Sequence, residues 1–391
     1  MSRFRASDLR GSARMAVQAA AGVARVVEGV HQSVLGSMGL PGGTEPGRTR
    51  GLTGMVYQGI HGVTRLVDQG LQAGLLRIEP LLDRVMTGAD TGAPAAEREA
   101  VLAALNGVMG DRLAADNNPL AIRMALRRGG RPIDLSSPDA LQGVTGQLLL
   151  LVHGLCMNDL QWTAGGHDHG AALERDLART AVQLHYNTGR PLAANGREFA
   201  RLLERLLKAW PVPVQEVTLL CHSMGGLVAR NALDHAFARR LRWSGVPIRA
   251  VFLGTPHHGA PLERAGRWAE RLIALSPYSA PFARLAKLRS AGIQDLRHGV
   301  LDDGGKPLPL PPVVRAYAIA STTLPRAAED EVNHRLGDGL VPVDSALGRH
   351  TDPAFDLRIP RQRCHVAHGV HHFDLLSDAQ VYERIARWLR R

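Results

Sequence analysis

A serine stands at residue 223 within Val217-Thr218-Leu219-Leu220-Cys221-His222-Ser223-Met224-Gly225-Gly226, between an apolar run of strand type and the helical Leu227-Val228-Ala229-Arg230. A serine at the tip of a tight strand-to-helix turn is a nucleophile elbow: the turn holds the hydroxyl above the sheet, and the helix N-terminus favours negative charge developing there. A hydroxyl alone is a weak nucleophile, so the reading requires a base and an acid elsewhere in the chain. Leu336-Gly337-Asp338-Gly339-Leu340-Val341-Pro342 places a carboxylate between two glycines, suited to orienting an imidazole and stabilising its protonated form. The alternative for Asp338 is an ordinary Asp-Gly turn. Gly369-Val370-His371-His372-Phe373-Asp374-Leu375-Leu376 supplies two adjacent histidines, one of them the expected general base; the residue pattern by itself leaves both open. Serine, then acid, then histidine is the chain order this elbow demands.

Attack by a serine on an ester carbonyl passes through a tetrahedral oxyanion, which backbone N–H groups stabilise. Leu149-Leu150-Leu151-Val152-His153-Gly154-Leu155 runs a strand into a His-Gly turn, and the oxyanion hole is assigned to the amides of Leu155 and Met224. Phe252-Leu253-Gly254-Thr255-Pro256-His257-His258-Gly259 ends another strand in a Gly- and Pro-rich loop at the same edge of the sheet. His153, Gly154, His222, Thr255, Pro256 and His257 are therefore the expected lining of a substrate pocket. Leu262 to Leu296, largely helical and carrying Trp268, Leu272, Tyr278 and Phe282, lies where a lid over an acyl pocket belongs. His167-Asp168-His169 with Asp176 raises a metal site, but the spacing matches no defined zinc set, and no metal is expected. That loop, with Asn158, Asp159 and Trp162, is read instead as flanking the pocket beside the oxyanion turn, and residues 186–190 as doing the same from the next strand.

Jointly, the elbow, the His-Gly-Leu turn, the Gly-Thr-Pro-His-His-Gly loop, the Gly-Asp-Gly-Leu-Val-Pro loop and the His-Phe-Asp-Leu-Leu segment resemble bacterial lipase-type α/β-hydrolases, near the GPI inositol-deacylase-like branch. The resemblance covers about residues 97 to 391. It implies hydrolysis of a carboxylic ester of a small molecule or lipid through Ser223, Asp338 and His372 and an acyl-enzyme, with no cofactor; the polar–His–apolar–Asp–Leu–Leu pattern puts the base on His372. One position departs from the usual G-x-S-x-G: Cys221 stands where the first glycine normally sits. An acyltransferase using the same three residues, and a catalytically silent fold acting as a binding or membrane-associated scaffold, are the alternative readings.

The elements that must carry these residues alternate in type. Strand-like runs over 147–152, 181–185, 216–220, 248–253, 313–320 and 363–367 are interleaved with helical stretches over 171–179, 196–209, 226–240 and 378–390. Such alternation predicts an α/β fold, a mostly parallel sheet with helices on both faces and active groups beyond the C-terminal ends of the strands. Ahead of it, residues 1–90 are expected to form an amphipathic helical segment, with helices over 14–38 and 52–82 joined by a Gly/Pro/Thr-rich linker, and a boundary at 87–96 opens the catalytic domain 97–391. A packed hairpin is the first reading of those helices and peripheral membrane contact the second.

Length and composition narrow the classes. The 391 residues, 45% hydrophobic and 21% charged, are those of a globular chain, and its apolar runs, such as Leu148 to Val152, are far too short to span a bilayer. The net charge of +11 comes from 47 basic residues, of which only Lys208, Lys287 and Lys306 are lysine, scattered among 36 acidic ones. No dense basic run interleaved with aromatics tracks phosphates, so nucleic acid is not an expected partner. Three cysteines, an odd number without metal spacing, fit a reducing cytoplasm rather than a disulfide framework, and the N-terminal stretch reads as an amphipathic helix rather than a secretion signal.

Overall fold

The computed structural model of the chain describes residues 7–19, 21, 58, 69, 96–259, 290–296, 307–325 and 337–390. It divides into two compact units, one of residues 1–95 with 117–120, the other of residues 96–116 with 121–391. In the first, residues 7–19 are helical, and the side-chain amide of Asn118 donates to the Gly11 carbonyl at 3.2 Å. The helices expected over 14–38 and 52–82, and the lid expected over 262–296, lie almost wholly outside the described residues.

The second unit is an α/β domain of the expected α/β-hydrolase class. Its sheet has eight strands in the order β2-β1-β4-β3-β5-β6-β7-β8: β1 (Ala125–Arg128), β2 (Arg131–Pro132), β3 (Gln147–Val152), β4 (Thr180–His185), β5 (Glu216–His222), β6 (Ile248–Leu253), β7 (Arg315–Thr322) and β8 (Cys364–His368). β3 to β8 are all parallel, while β1 runs antiparallel to both of its neighbours. The central strands are buried on both faces, which is why β3 reads Leu-Leu-Leu-Leu-Val without alternation: helices cover each side and neither face meets water.

Five helices concern the site: α1 (Ala96–Ala115), α2 (His169–Leu177), α3 (Leu192–Ala209), α4 (Met224–Ala238) and α5 (Ala379–Leu389). One core layer packs α3 and α4 on the sheet through Phe199, Leu203, Leu206, Leu227 and Val228, with Trp243 from the turn after α4. The opposite layer packs α5 through Val381, Ile385 and Trp388 against Leu149, Leu151, Val251 and Ile319. At the far, N-terminal edge of the sheet, Glu216 joins Arg179 (2.8 Å) and Arg249 (2.7 Å), and those two guanidiniums donate to the Leu389 and Trp388 carbonyls at the end of α5. The last helix is thereby fastened to three strands by charge as well as by its apolar face.

The strands expected at 147–152 and 248–253 fall on β3 and β6; the others are shifted by one to two residues at an end. β1, β2 and α1 were not expected.

Candidate active site

The candidate groups gather at the C-terminal ends of parallel strands: Gly154 and Leu155 follow β3, Ser223 follows β5, Gly254 and Thr255 follow β6, His372 comes after β8, and Asp338 accepts from Ser321 near the end of β7. In-register pairing sets Val152 of β3 beside Cys221 of β5, His222 beside Leu253 of β6, and Leu253 beside Ile319 of β7, so the turns that follow open at one rim.

Ser223 leaves β5 with φ 52° and ψ −126°. A non-glycine residue in that left-handed region costs about 1–3 kcal/mol, and the cost is carried by dense surroundings: Ser223 N–H donates to the Leu253 carbonyl at 2.8 Å, and the residue is 2% exposed. α4 begins at the next residue. Gly225 lets its first turn lie on the end of β3, since a Cβ there would stand 2.3 Å from the Val152 carbonyl oxygen. Cys221, in the place of the usual glycine, is fully buried among the core side chains, and burial pushes its thiol well above the ordinary range. The elbow forms with cysteine there because Cys221 is still an ordinary strand residue paired with Val152 and Phe252, and the strained backbone begins two residues later.

Asp338 and His372 are brought together. The Nδ1 of His372 lies 2.7 Å from Oδ2 of Asp338, and both residues are buried. A carboxylate only accepts, so Nδ1 donates to it, which leaves Nε2 as the ring nitrogen turned to other partners. The carboxylate also accepts from the Ser321 hydroxyl (3.1 Å) and the amides of Leu340 (3.0 Å) and Val341 (2.8 Å). Burial works against its ionisation, but His372 and the two amides outweigh it and hold the carboxyl below its usual range. His371 is exposed, its amide donating to Asp374.

His372 is seated by its neighbours. His222, next to the serine, has Nε2 3.0 Å from the His372 carbonyl oxygen, so that nitrogen holds the proton, and the two rings lie 4.8 Å apart. Burial, with the neighbouring His372, lowers His222 to about 3 and keeps it neutral. Gly254 ends β6 with φ 55°, and a Cβ there would stand 3.1 Å from the His372 ring and 2.9 Å from Leu375. His169 Nε2, 2.9 Å from the Leu375 carbonyl, ties the following turn to the start of α2. Ser223 Oγ and His372 Nε2 are both buried, and among the described residues neither has a hydrogen-bond partner. These are the two atoms between which a nucleophile's proton would pass.

The His-Gly turn after β3 folds over the elbow, where a Cβ on Gly154 would meet Ser223 Cβ at 3.0 Å. Met157 N–H donates to the Gly154 carbonyl, closing a turn in which Cys156 takes φ 58°. Among the described residues the Leu155 and Met224 amides donate to no other group. Of the residues expected to line a pocket, His153 stacks on Tyr186 at 4.4 Å with its Nδ1 3.0 Å from the Gly154 carbonyl. His257 packs edge-on to Phe252, with Arg230 donating to its carbonyl. Thr255 is buried against Gly226 of α4. Gly154 and His222 touch the elbow directly, and Pro256 accepts from Gly259 in the same loop.

The His167-Asp168-His169 stretch has local employment: Asp168 caps α2 by accepting from Gly170 and Ala171, and His167 lies edge-on to Tyr382. Among the described residues no cluster of three or more His, Cys, Asp or Glu side chains has metal-binding geometry. No described helix is long and apolar enough to cross a membrane. A groove of about 1220 Å³ lies away from Ser223, along the edge strand β8, lined by Arg349, Arg361, Cys364, Arg384 and Arg387 among others.

Residues 128–300 match a family model described as a domain of unknown function, DUF7379. No curated protein matches the sequence. Among solved structures the chain is similar to the mature Bacillus licheniformis lipase BlEst2, at 18% identity and a TM-score of 0.44, over 68% of this chain and 97% of that one. It is also similar to the Pyrococcus furiosus esterase Pf2001, at 13% identity and a TM-score of 0.40, over 64% and 82%. A third is the Legionella pneumophila phospholipase PlaB in complex with thio-NAD, at 16% and 0.35, over 51% and 44%. At these scores the likenesses carry no argument about the site, which rests on its own geometry.

Proposed function

We propose that the protein is a serine hydrolase acting on carboxylic esters. The observation that carries the proposal is the buried Asp338–His372 pair at 2.7 Å, together with the His372 Nε2 and the strained Ser223 hydroxyl, neither of which has a partner among the described residues. In this reading Ser223 Oγ attacks the ester carbonyl as its proton passes to His372 Nε2, and Asp338 stabilises the imidazolium. The tetrahedral oxyanion accepts from the Leu155 and Met224 amides. His372 then returns the proton to the departing alkoxide, which leaves as the alcohol. Water attacks the acyl-Ser223 ester, giving its proton to His372, and the acid departs as the serine recovers its hydrogen.

The motif resemblance to lipase-type enzymes near the GPI inositol-deacylase-like branch leaves lipid and small soluble esters both open; in this reading the catalytic domain starts near residue 97, and residues 1–90 ahead of it form a packed helical hairpin or, as the second reading, a peripheral membrane contact. A fluorophosphonate probe tests the chemistry: the wild type should label and Ser223→Ala should not. Labelling of neither, or of both equally, leaves the silent-scaffold reading in its place. Rates over p-nitrophenyl esters of increasing chain length test the substrate class, and activity confined to acetate and butyrate would remove the lipid.

A further inference from the structure

Behind the turn that carries Leu155 lies a buried ionic cluster that the chemistry above does not use. Asp159, two residues past Met157, has a side chain 1% exposed; its Oδ1 accepts from Arg127 Nη1 of β1 at 3.0 Å and stands 2.9 Å from His185 Nδ1 at the end of β4. The same Nη1 reaches Glu99 of α1 at 3.1 Å, and that carboxylate faces His185 Nε2 at 3.9 Å. Burial opposes the ionisation of Asp159, but His185 and Arg127 hold its carboxyl below the usual range.

Four groups from β4 and its following loop therefore fix the segment 153–159 from one side. His185 meets Asp159, the Tyr186 hydroxyl donates to the His153 carbonyl at 2.8 Å, its ring stacks on His153, and Thr188 Oγ1 accepts from the Cys156 amide at 3.2 Å. The near end of the segment is held by β3 pairing. Its far end is held by Asp159, with Asn158 and Gln161 closing a reciprocal cap just behind. An amide between two such anchors has its direction set by both, and β3 alone would leave the turn free to rotate about residues 154–156.

We propose that Asp159, clamped by Arg127 and His185, is a positioning residue for the oxyanion turn: it holds the backbone so that the Leu155 N–H points at the developing oxyanion. The inference rests on the ester-hydrolase reading. A donor displaced by about 1 Å can cost about 10²-fold in rate while leaving ground-state binding alone.

The test compares Asp159→Ala and Asp159→Asn with wild type and with Glu216→Gln, which disturbs the ion cluster at the opposite rim of the sheet. Rates are normalised to the folded, probe-reactive fraction. The expected result is an approximately 100-fold loss of kcat in Asp159→Ala with KM within twofold, a smaller loss in Asp159→Asn, which retains an acceptor for Arg127, and unchanged kcat in Glu216→Gln despite a lower Tm. Affinity for a trifluoromethyl ketone, which forms a hemiketal oxyanion on the serine, should fall in step with kcat/KM, while a non-hydrated methyl ketone should bind unchanged. Equal losses for both ketones, or a kcat in the Asp159 variants no lower than in Glu216→Gln, overturn the proposal; if Asp159→Ala does not fold, Asp159→Asn and His185→Gln decide it on the same readouts. A wild type that neither labels nor turns over esters removes the hydrolase reading itself, a different failure from an active wild type indifferent to Asp159.

Discussion

The histidines that hold the site together should make the fold acid-labile. Burial lowers His153 and His222 to about 3 and His169 and His258 to about 4, and moves His257 in the same direction, so the first four are neutral in the folded protein down to about pH 5. In the unfolded chain each takes up a proton as the pH falls through about 6.5. Between these limits the unfolded state binds four more protons than the native one, so stability is fully present above pH 6.5 and is lost as the pH falls. At pH 5.5 each histidine costs about 1.4 kcal/mol, and the four together about 6 kcal/mol, against a total of about 5–15 kcal/mol for a domain. Asp338 adds to the same trend only below about pH 4, because its carboxyl is lowered from 3.8. Urea unfolding followed through the buried Trp162 and Trp243 at pH 7.5, 6.5 and 5.5 reads this directly. The expected loss between 7.5 and 5.5 is about 6 kcal/mol, and His169→Gln should shrink it by about a quarter. A loss under about 2 kcal/mol would mean that these rings take up protons in place, the Nε2–H bonds of His222 and His169 to carbonyls surviving, and that burial does not keep them neutral.

Two further predictions concern the base. Gly254→Ala adds a methyl against the His372 ring at a residue with φ 55°; kcat should drop by about two orders of magnitude and Tm should fall, whereas an activity near wild type in p-nitrophenyl ester assays would show that His372 has room to shift. His372→Ala should abolish ester hydrolysis and Asp338→Asn should lower kcat by about 10³–10⁴-fold through the wrong tautomer, while exposed His371→Ala should change neither kcat nor Tm appreciably; the opposite ranking of the two histidines reassigns the base.

Much of this was legible before any coordinates, because apolar runs in a parallel sheet and the turns after them leave strong traces. β3, β5 and β6 are mostly apolar segments, each followed within two residues by Gly or Ser, and the residues after each fall at the rim that holds the candidate site. The edge hairpin was harder. Gly129 and Gly130, both with positive φ between Arg128 and Arg131, are the two-residue hairpin signal, but its strands read Ala-Leu-Arg-Arg and Arg-Pro, with no apolar alternation to mark them. α1 leaves little trace for a related reason: half of its twenty residues are Ala, Gly, Asn or Asp, and Gly107 and Gly110 let it lie tightly on Cys156 and Asn187, closeness that no period reveals. The Glu99–Arg127–Asp159–His185 cluster draws on four segments up to 86 positions apart, so only the folded chain brings it together.

The two proposed oxyanion donors share a feature that exposes how the site is strained. Met224 N–H follows Ser223, at φ 52°, and Leu155 N–H precedes Cys156, at φ 58°; neither strained residue is glycine. At Cys156 a glycine would relieve about 1–2 kcal/mol of left-handed strain. Cysteine instead places its sulfur against Gly107 of α1, close enough that a Cβ there would lie at 2.2 Å, and its S–H approaches the Ala104 carbonyl at 3.9 Å. The side chain thus acts as a peg that stops the turn from rotating, and burial lifts its thiol to about 12, so it stays uncharged and unreactive. Cys156→Gly trades relieved strain for a lost peg and a freer unfolded chain, effects of opposite sign and similar size, so Tm should move by no more than a few degrees. Activity should not be spared: if the turn's orientation stabilises the oxyanion, kcat should fall about tenfold or more with KM unchanged, in the same direction as Asp159→Ala. A Cys156→Gly protein with full kcat would show that β3 and β4 fix the Leu155 amide without the peg, and would place the strain at Cys156 outside the chemistry.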